Sequence, residues 1–297
     1  MARVSQLQAV LTARERLATR RWRRRLETAA SLLIILVGAV IIMIPLAWMV
    51  STSLKRPLDV YLFPPKWVPV PPQWGNYAEV FSAVPFGRYM LNSAFVSGMV
   101  VLGSVLSSSL AAYSFARLRS PGRDLIFMVL LSTLMLPGAV TIVPTFIVFQ
   151  KLGWINTFKP LIVPAFFGNA FFIFLLRQFF LTIPLELEDA ARIDGASALQ
   201  IFWRVILPLS RPAIITVAIF AFIGSWNDFF TPLIYINSED MYTVALGIAN
   251  FQGSARVGPQ MHLLMAASFI ATLPVLLVFF LAQRLFIQGI VFTGIKG

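Results

Sequence analysis

The chain has 297 residues, 58% hydrophobic and only 12% charged, with a mean hydropathy of +0.81. Soluble domains carry about 25% charged residues, so this composition excludes an ordinary soluble globular protein. The net charge of +12 gathers at the edges of apolar runs and in one N-terminal block, which argues against a nucleic-acid face, and the lack of cysteine excludes disulfides, thiol catalysis and Cys-ligated zinc.

Residues 1–27 form a basic arm, and residues 28–297 read as one membrane domain. Arg14, Arg16, Arg20, Arg21, Arg23, Arg24 and Arg25 directly precede the first apolar run. Such a block fixes membrane topology and touches anionic membrane lipid; an arm for another partner is the alternative. The run that follows is longer than the roughly 7–15-residue core of a cleaved signal peptide, and no small-x-small site follows it closely. Uncharged runs recur at 28–54, 89–116, 125–150, 160–176, 212–227 and 263–283. A helix needs roughly 20 residues to cross about 30 Å of hydrocarbon. The runs at 160–176 and 212–227 are slightly short and extend past Arg177 and Asp228, charges that face protein or the interface. The fold class is therefore all-α, a polytopic membrane protein with six transmembrane helices.

Cations set the orientation. With the N-terminus inside, the inner side carries the arm, Arg117, Arg119, Arg123, Arg177, Arg192, Arg204, Arg211, Arg284 and Lys296. The outer side carries Lys55, Arg56, Lys66, Arg88, Lys151, Lys159 and Arg256, fewer than half as many. The positive-inside rule puts both termini and residues 184–211 in the cytoplasm.

The outer loop from Ser53 to Arg88 is rich in proline, so an ordered but irregular path is expected, with Trp67 and Trp74 near the lipid surface. In the second span, Ser93, Ser97, Gly98, Gly103, Ser104, Ser107, Ser108 and Ser109 allow close helix packing in lipid; lining of a pore is the other use of such residues. Pro121-Gly122-Arg123 makes a tight inner turn. Pro137-Gly138 and Pro144 break or kink the third span, and broken helices at membrane depth line cavities or lie buried in protein.

A polar, partly acidic island, PLELEDAARIDGASALQIFWRVILPLSRP, separates the fourth and fifth runs at 184–212. Pro184 opens a helix whose first turn carries Glu186, Glu188 and Asp189, where the helix dipole favours negative charge. Ala190 and Ala191 keep one face slim, and Gly195 can end the helix in a left-handed conformation. A second helix presents Ile201, Phe202 and Val205, and Pro208 and Pro212 set the angle of the next span. An amphipathic elbow on the membrane surface accounts for the prolines and glycine, but not for Asp189-Ala190-Ala191, Gly195 and Leu207-Pro208 at this spacing. That pattern resembles the EAA loop of ABC importer permeases, with Asp189 where the family usually has Glu. The resemblance implies that Glu188, Asp189, Ala190, Ala191, Asp194, Gly195, Leu207 and Pro208 couple the chain to a partner ATPase subunit.

Further on, Ser225-Trp226-Asn227-Asp228-Phe229-Phe230 is similar to a run in the carbohydrate-uptake, maltose-type branch of these permeases. Trp226, Asn227, Asp228 and Phe229 are accordingly expected on the substrate path or at a gate. At about 1.5 Å per residue Asp228 lies roughly 25 Å from Arg211, near the outer side. An aromatic face suits a sugar ring, and an amide and a carboxylate suit its hydroxyls; a purely structural charge is the alternative. Ser53-Leu54-Lys55, Trp74-Gly75-Asn76-Tyr77 and the ending Gly294-Ile295-Lys296-Gly297 also resemble pieces of this branch. The tail implies ATPase contact by Lys296 and Gly297. The likeness covers about residues 30–297.

It implies a permease subunit, not itself an enzyme, that moves a sugar or sugar derivative across a bacterial or archaeal cytoplasmic membrane by alternating access. Its implied partners are a second homologous permease, two ATP-binding-cassette ATPase subunits, an extracytoplasmic solute-binding protein and membrane lipid, with no nucleic acid. No cofactor is expected in this chain, ATP and Mg being bound by the ATPase subunits. The residues agree: no G-x-x-x-x-G-K-[ST] loop occurs, and His262, the sole histidine, argues against a metal site. An intramembrane serine protease needs a nucleophile beside a base, and no serine has a recognisable partner. An ion-gradient-driven secondary carrier stays open as the alternative, although such carriers typically hold charges near the bilayer midplane and these spans are nearly charge-free.

Overall fold

The computed structural model describes the backbone of residues 2–252 and 260–291 and the side chains of residues 26–252 and 260–283. Lys296, Gly297 and Arg256 lie outside the described residues. Among those described there is no strand. Helix α1 (Ala2–Ser53) joins the arm to the first span without a break. Its side chains at 26–44 are exposed apart from half-buried Gly38, whereas residues 51–55 are buried. At that end the Asn76 amide donates to the carbonyls of Ser53 (2.8 Å) and Lys55 (2.9 Å). The Lys55 ammonium lies 3.7 Å from the Trp48 ring, whose edge meets Trp67 at 4.9 Å. The two sequence pieces at 53–55 and 74–77 thus clip the proline-rich loop onto α1. That loop holds one 3₁₀ turn (Pro57–Tyr61) and leads into α2 (Gly75–Ala83).

Helix α3 (Phe86–Arg117) is the central element, packed against the later α7 (Ala170–Leu181) and α11 (Arg211–Trp226). Its buried side includes Ser93, Ser97, Gly103, Ser104, Ser108 and Ser109, so the small residues do serve close packing. A Cβ on Gly103 would stand 2.6 Å from the Phe166 ring. Helices α4 (Arg123–Ser132) and α5 (Gly138–Lys151), linked by a 3₁₀ turn (Thr133–Met135), are bent by 102° about Leu136 and Pro137. Leu136 is extended, with ψ 118°, the conformation that the ring of the following proline favours by crowding the helical one.

Helix α6 (Lys159–Ile162), a 3₁₀ turn (Val163–Phe167) and α7 (Ala170–Leu181) form the next span, Lys159–Leu181. It passes Arg177 as expected: Nε donates to the Phe115 carbonyl at 3.2 Å and the guanidinium lies 4.3 Å from the Phe127 ring. The island contains α8 (Glu186–Ile193), α9 (Ala198–Ile201), a π-helical turn (Phe202–Ile206) and α10 (Leu207–Leu209). Helix α11 (Arg211–Trp226) leaves it at 81°. Short helices α12 (Phe230–Tyr235) and α13 (Val244–Ile248) precede α14 (Met261–Val291). Four described helices are long and apolar enough to cross a membrane, and six spans result when each bent pair counts as one. One apolar core, around Ala112, Phe180 and Phe202, underlies the island; the other, around Phe86, Tyr89 and Trp226, joins α2, α3, α13 and α14.

Candidate functional site

The island is built by local hydrogen bonds. Gly195 has φ +80°. Its N–H donates to the Arg192 carbonyl (3.0 Å) and that of Ala196 to the Ala191 carbonyl (2.9 Å), the two bonds of a Schellman motif that closes α8. Two residues later Ser197 starts α9 with a reciprocal capping box: its Oγ accepts from Gln200 N (3.3 Å), and Gln200 Oε1 accepts from Ser197 N (2.8 Å). Pro208 has no N–H to offer Arg204, and the helix widens before it, Leu207 N bonding Phe202 O in a π turn.

Helical periodicity divides the expected coupling residues. Asp189, Ala190, Asp194, Gly195 and Pro208 are exposed. Glu188 is fully buried, and Ala191 and Leu207 are half-buried against the core, because Glu188, Ala191 and Arg192 share one face of α8. The small Ala191 side chain therefore lets α8 close onto its own subunit. The second helix likewise turns Ile201, Phe202 and Ile206 inward, with Phe202 5.3 Å from the Tyr113 ring. Its outward residues are Leu199, Trp203 and Leu209. The outward face of the island thus combines Asp189, Ala190, Asp194, Gly195 and Pro208 with apolar residues the motif does not name, above all Ile193, which is 87% exposed. Glu188 meets Arg117 Nε at 2.9 Å and Arg192 at 3.5 Å; Arg192 also holds Asp189 at 3.1 Å. Arg117 stands out in the sequence only as the cation ending the second span.

The Trp226 run corrects the sequence reading. Trp226 is buried, stacked 5.4 Å from Phe222, and its Nε1 donates to the Ala271 carbonyl at 2.9 Å. Its faces and its donor are already engaged in the core, so it does not form a cavity wall. Asn227 is exposed and bonds back to the Ile223 carbonyl (3.0 Å), while Phe229 is half-buried with its ring edge-on to Phe230. Asp228 does face a cleft of about 430 Å³ between α3, the 164–169 segment and α11, lined also by Ser104, Asn169, Phe172, Phe220 and Ser225. One Asp228 oxygen accepts from Thr231 N at 3.0 Å and caps the turn into α12. Ser97 Oγ bonds Ser225 Oγ at 3.2 Å across the two walls. Asn169 Oδ1 accepts from the N–H groups of Phe171 and Phe172, which fixes the start of α7 at the cleft. The adjoining Gly168-Asn169 pair was the available sequence signal for that wall. Among the described residues no group of three or more His, Cys, Asp or Glu could hold a metal ion.

A helical multi-pass body with a charged elbow of short helices between two of its spans and a cleft between helices is the architecture of a membrane transport subunit. Residues 103–291 match the family described as binding-protein-dependent transport system inner membrane component. The chain is 33% identical over 275 residues to the sn-glycerol-3-phosphate transport system permease protein UgpE of Yersinia pestis, covering 91% of this chain and 97% of that one. It is 34% identical over 264 residues to the diacetylchitobiose uptake system permease protein NgcG of Streptomyces coelicolor, covering 88% and 86%. A chain of a bacterial ABC transporter involved in alginate import shares the fold, with a TM-score of 0.77 at 23% identity over 88% of this chain and 96% of that one. The chain belongs to the binding-protein-dependent permease family of ABC importers. It is a transport subunit rather than an enzyme, ATP hydrolysis belonging to a separate subunit, and the ion-gradient carrier reading falls away.

Proposed function

We propose that this chain is one of two homologous permeases in an importer for a sugar or sugar derivative in a bacterial or archaeal cytoplasmic membrane. Residues 184–211 dock on one of two ATPase subunits, which bind ATP and Mg, and an extracytoplasmic binding protein delivers solute from outside. Both termini face the cytoplasm, residues 1–27 lie as a basic arm against lipid, and residues 28–297 form the transmembrane domain. Closure of the ATPases draws the docking loops together and turns the spans as rigid bodies. Lys296 and Gly297 extend the ATPase contact.

The observation that carries this reading is the outward side of α8. Ile193 is 87% exposed at the end of α8, and Leu185, Leu187 and Leu199 of the same charge-rich island are exposed as well; covering such apolar side chains with a partner removes them from water at a gain in free energy. Asp189, Ala190, Asp194 and Gly195 share the exposed side; Glu188, Ala191, Leu207 and Pro208 hold its shape. For the solute, the cleft offers hydroxyls, an amide and the Asp228 carboxylate, and no lysine or arginine lines it. These groups suit a hydroxylated solute better than an anionic one. Asn227 and Phe229 flank Asp228 in the chain without lining the cleft, and Trp226 braces the end of α11 from the core.

The test is assembly and uptake. The complex, purified with its ATPase subunits, should lose them when Ile193→Ser is introduced, and uptake in proteoliposomes should need ATP and persist when ion gradients are collapsed. ATPase retention together with normal uptake in Ile193→Ser would overturn the docking surface. A thermal-shift screen of the cognate binding protein against neutral sugars, polyols and glycerol phosphates identifies the solute.

A further inference from the structure

Arg117 joins three elements. It stands in the last turn of α3, its Nε meets Glu188 of α8 at 2.9 Å, and its Nη2 donates to the Phe180 and Ile183 carbonyls at the end of α7, each at 2.5 Å. The two side chains of the pair are 4% and 0% exposed. Tyr113, one turn earlier on the same face of α3, packs on Phe202 of the island's second helix. Burying an ion pair costs desolvation that apolar residues of similar volume would avoid, so stability alone does not call for one here. An ion pair supplies something apolar packing lacks. Apolar faces slide past one another at little cost, whereas opposite charges in a low-dielectric site resist separation in a defined direction.

The same helix forms a wall of the cleft. Ser104 lies roughly 20 Å along α3 from Arg117 at about 1.5 Å per residue, and Ser97 bonds the opposite wall through Ser225. We propose that Arg117 and Glu188 are a positioning pair that transmits displacement of the coupling loop to α3, so that α8 and α3 move as one body and carry the cleft wall with them. This rests on the docking reading of residues 184–211, but concerns the step after docking.

The chain has no cysteine, so spin labels can be placed in pairs on the complete complex in nanodiscs. Ser114→Cys with Glu186→Cys, both exposed, reports the α3–α8 distance. Leu91→Cys with Leu233→Cys, also exposed, reports the separation of the outer ends of the cleft walls. The probes are ATP and vanadate. In the otherwise native chain the first distance should stay constant on vanadate trapping and the second should shift. In Glu188→Gln, with ATPase subunits retained and hydrolysing, the second shift should fall to less than half, and Glu188→Asp should restore most of it. A first distance that changes on trapping in the otherwise native chain would overturn the proposal without any destabilising substitution. A full second shift in Glu188→Gln would overturn it equally. So would release of the ATPase subunits by Glu188→Gln, which would reduce the pair to a support for the docking surface. Failure of the docking reading itself is read separately, from ATPase retention in Ile193→Ser.

Discussion

Replacing Gly195 isolates a backbone effect from a packing effect. A Cβ built at this position meets nothing within 4 Å, and φ is +80°. The penalty for a side chain is therefore conformational, roughly 1–2 kcal/mol for an L-residue, least for Asn and greatest for a β-branched residue. Since the Schellman turn sets the angle between α8 and α9, the same free energy should appear as weaker ATPase binding. At about 1.4 kcal/mol per tenfold, that is about a 5- to 30-fold loss. The expected order is Gly195→Asn near the parent, Gly195→Ala intermediate and Gly195→Val weakest, with membrane insertion unchanged. Titration of ATPase subunits onto the permease pair in nanodiscs, with uptake measured alongside, gives the series. Asn is larger than Ala. If Gly195→Asn bound worse than Gly195→Ala, crowding against the partner would govern the site and the conformational reasoning would be refuted.

Asp189→Glu should be tolerated in the same titration, since the exposed first turn of α8 keeps its charge; a loss of binding like that of Gly195→Val would show that the shorter side chain is required. Trp226→Phe should cost about 1 kcal/mol by losing one buried hydrogen bond, lowering thermal stability while leaving uptake KM unchanged; a raised KM at unchanged stability would return Trp226 to the solute path. Gly103→Ala should force the Phe166 ring aside at a cost of about 1–3 kcal/mol, relieved in the Gly103→Ala/Phe166→Ala double variant, and thermal unfolding of the cycle checks it. Burial holds the Lys55 ammonium below its usual pKa of 10.5, so the unfolded chain binds that proton more tightly. Stability should therefore rise with pH between the folded value and 10.5, and unfolding of Lys55→Met should lack that rise.

The spans were legible because lipid demands long apolar runs, and the third-span break because Pro137 disfavours a helical Leu136 and Gly138 follows it. Gly195 could be assigned its turn for the same kind of reason, a local backbone rule. Glu188 could not be separated from Asp189 by composition or motif. Adjacent residues on a helix point about 100° apart, and which of them meets the core depends on where Arg117 ends a helix some seventy residues earlier. Trp226 was misplaced because a Trp beside Asn and Asp satisfies a sugar-site pattern equally well from either side of the helix. Its partner, the Ala271 carbonyl, is a backbone atom that no side-chain pattern announces. Ile193 escaped notice because an isoleucine in an apolar-rich chain is conspicuous only when its neighbours leave it bare.

The first span carries an implication for biogenesis. Residues 29–44 are exposed apart from half-buried Gly38, and α1 is moored from Trp48 to its C-terminal end by Lys55, Ser53 and Asn76. Emerging from the ribosome, this segment can enter the bilayer as a solitary hydrophobic rod, and its mooring cannot form until Asn76 has been translated. The first two-thirds of the rod should therefore be interchangeable with another apolar sequence of equal length, provided the fastening at its C-terminal end is kept. What evolution must conserve in this span is the knot at one end, while the rope is free to drift.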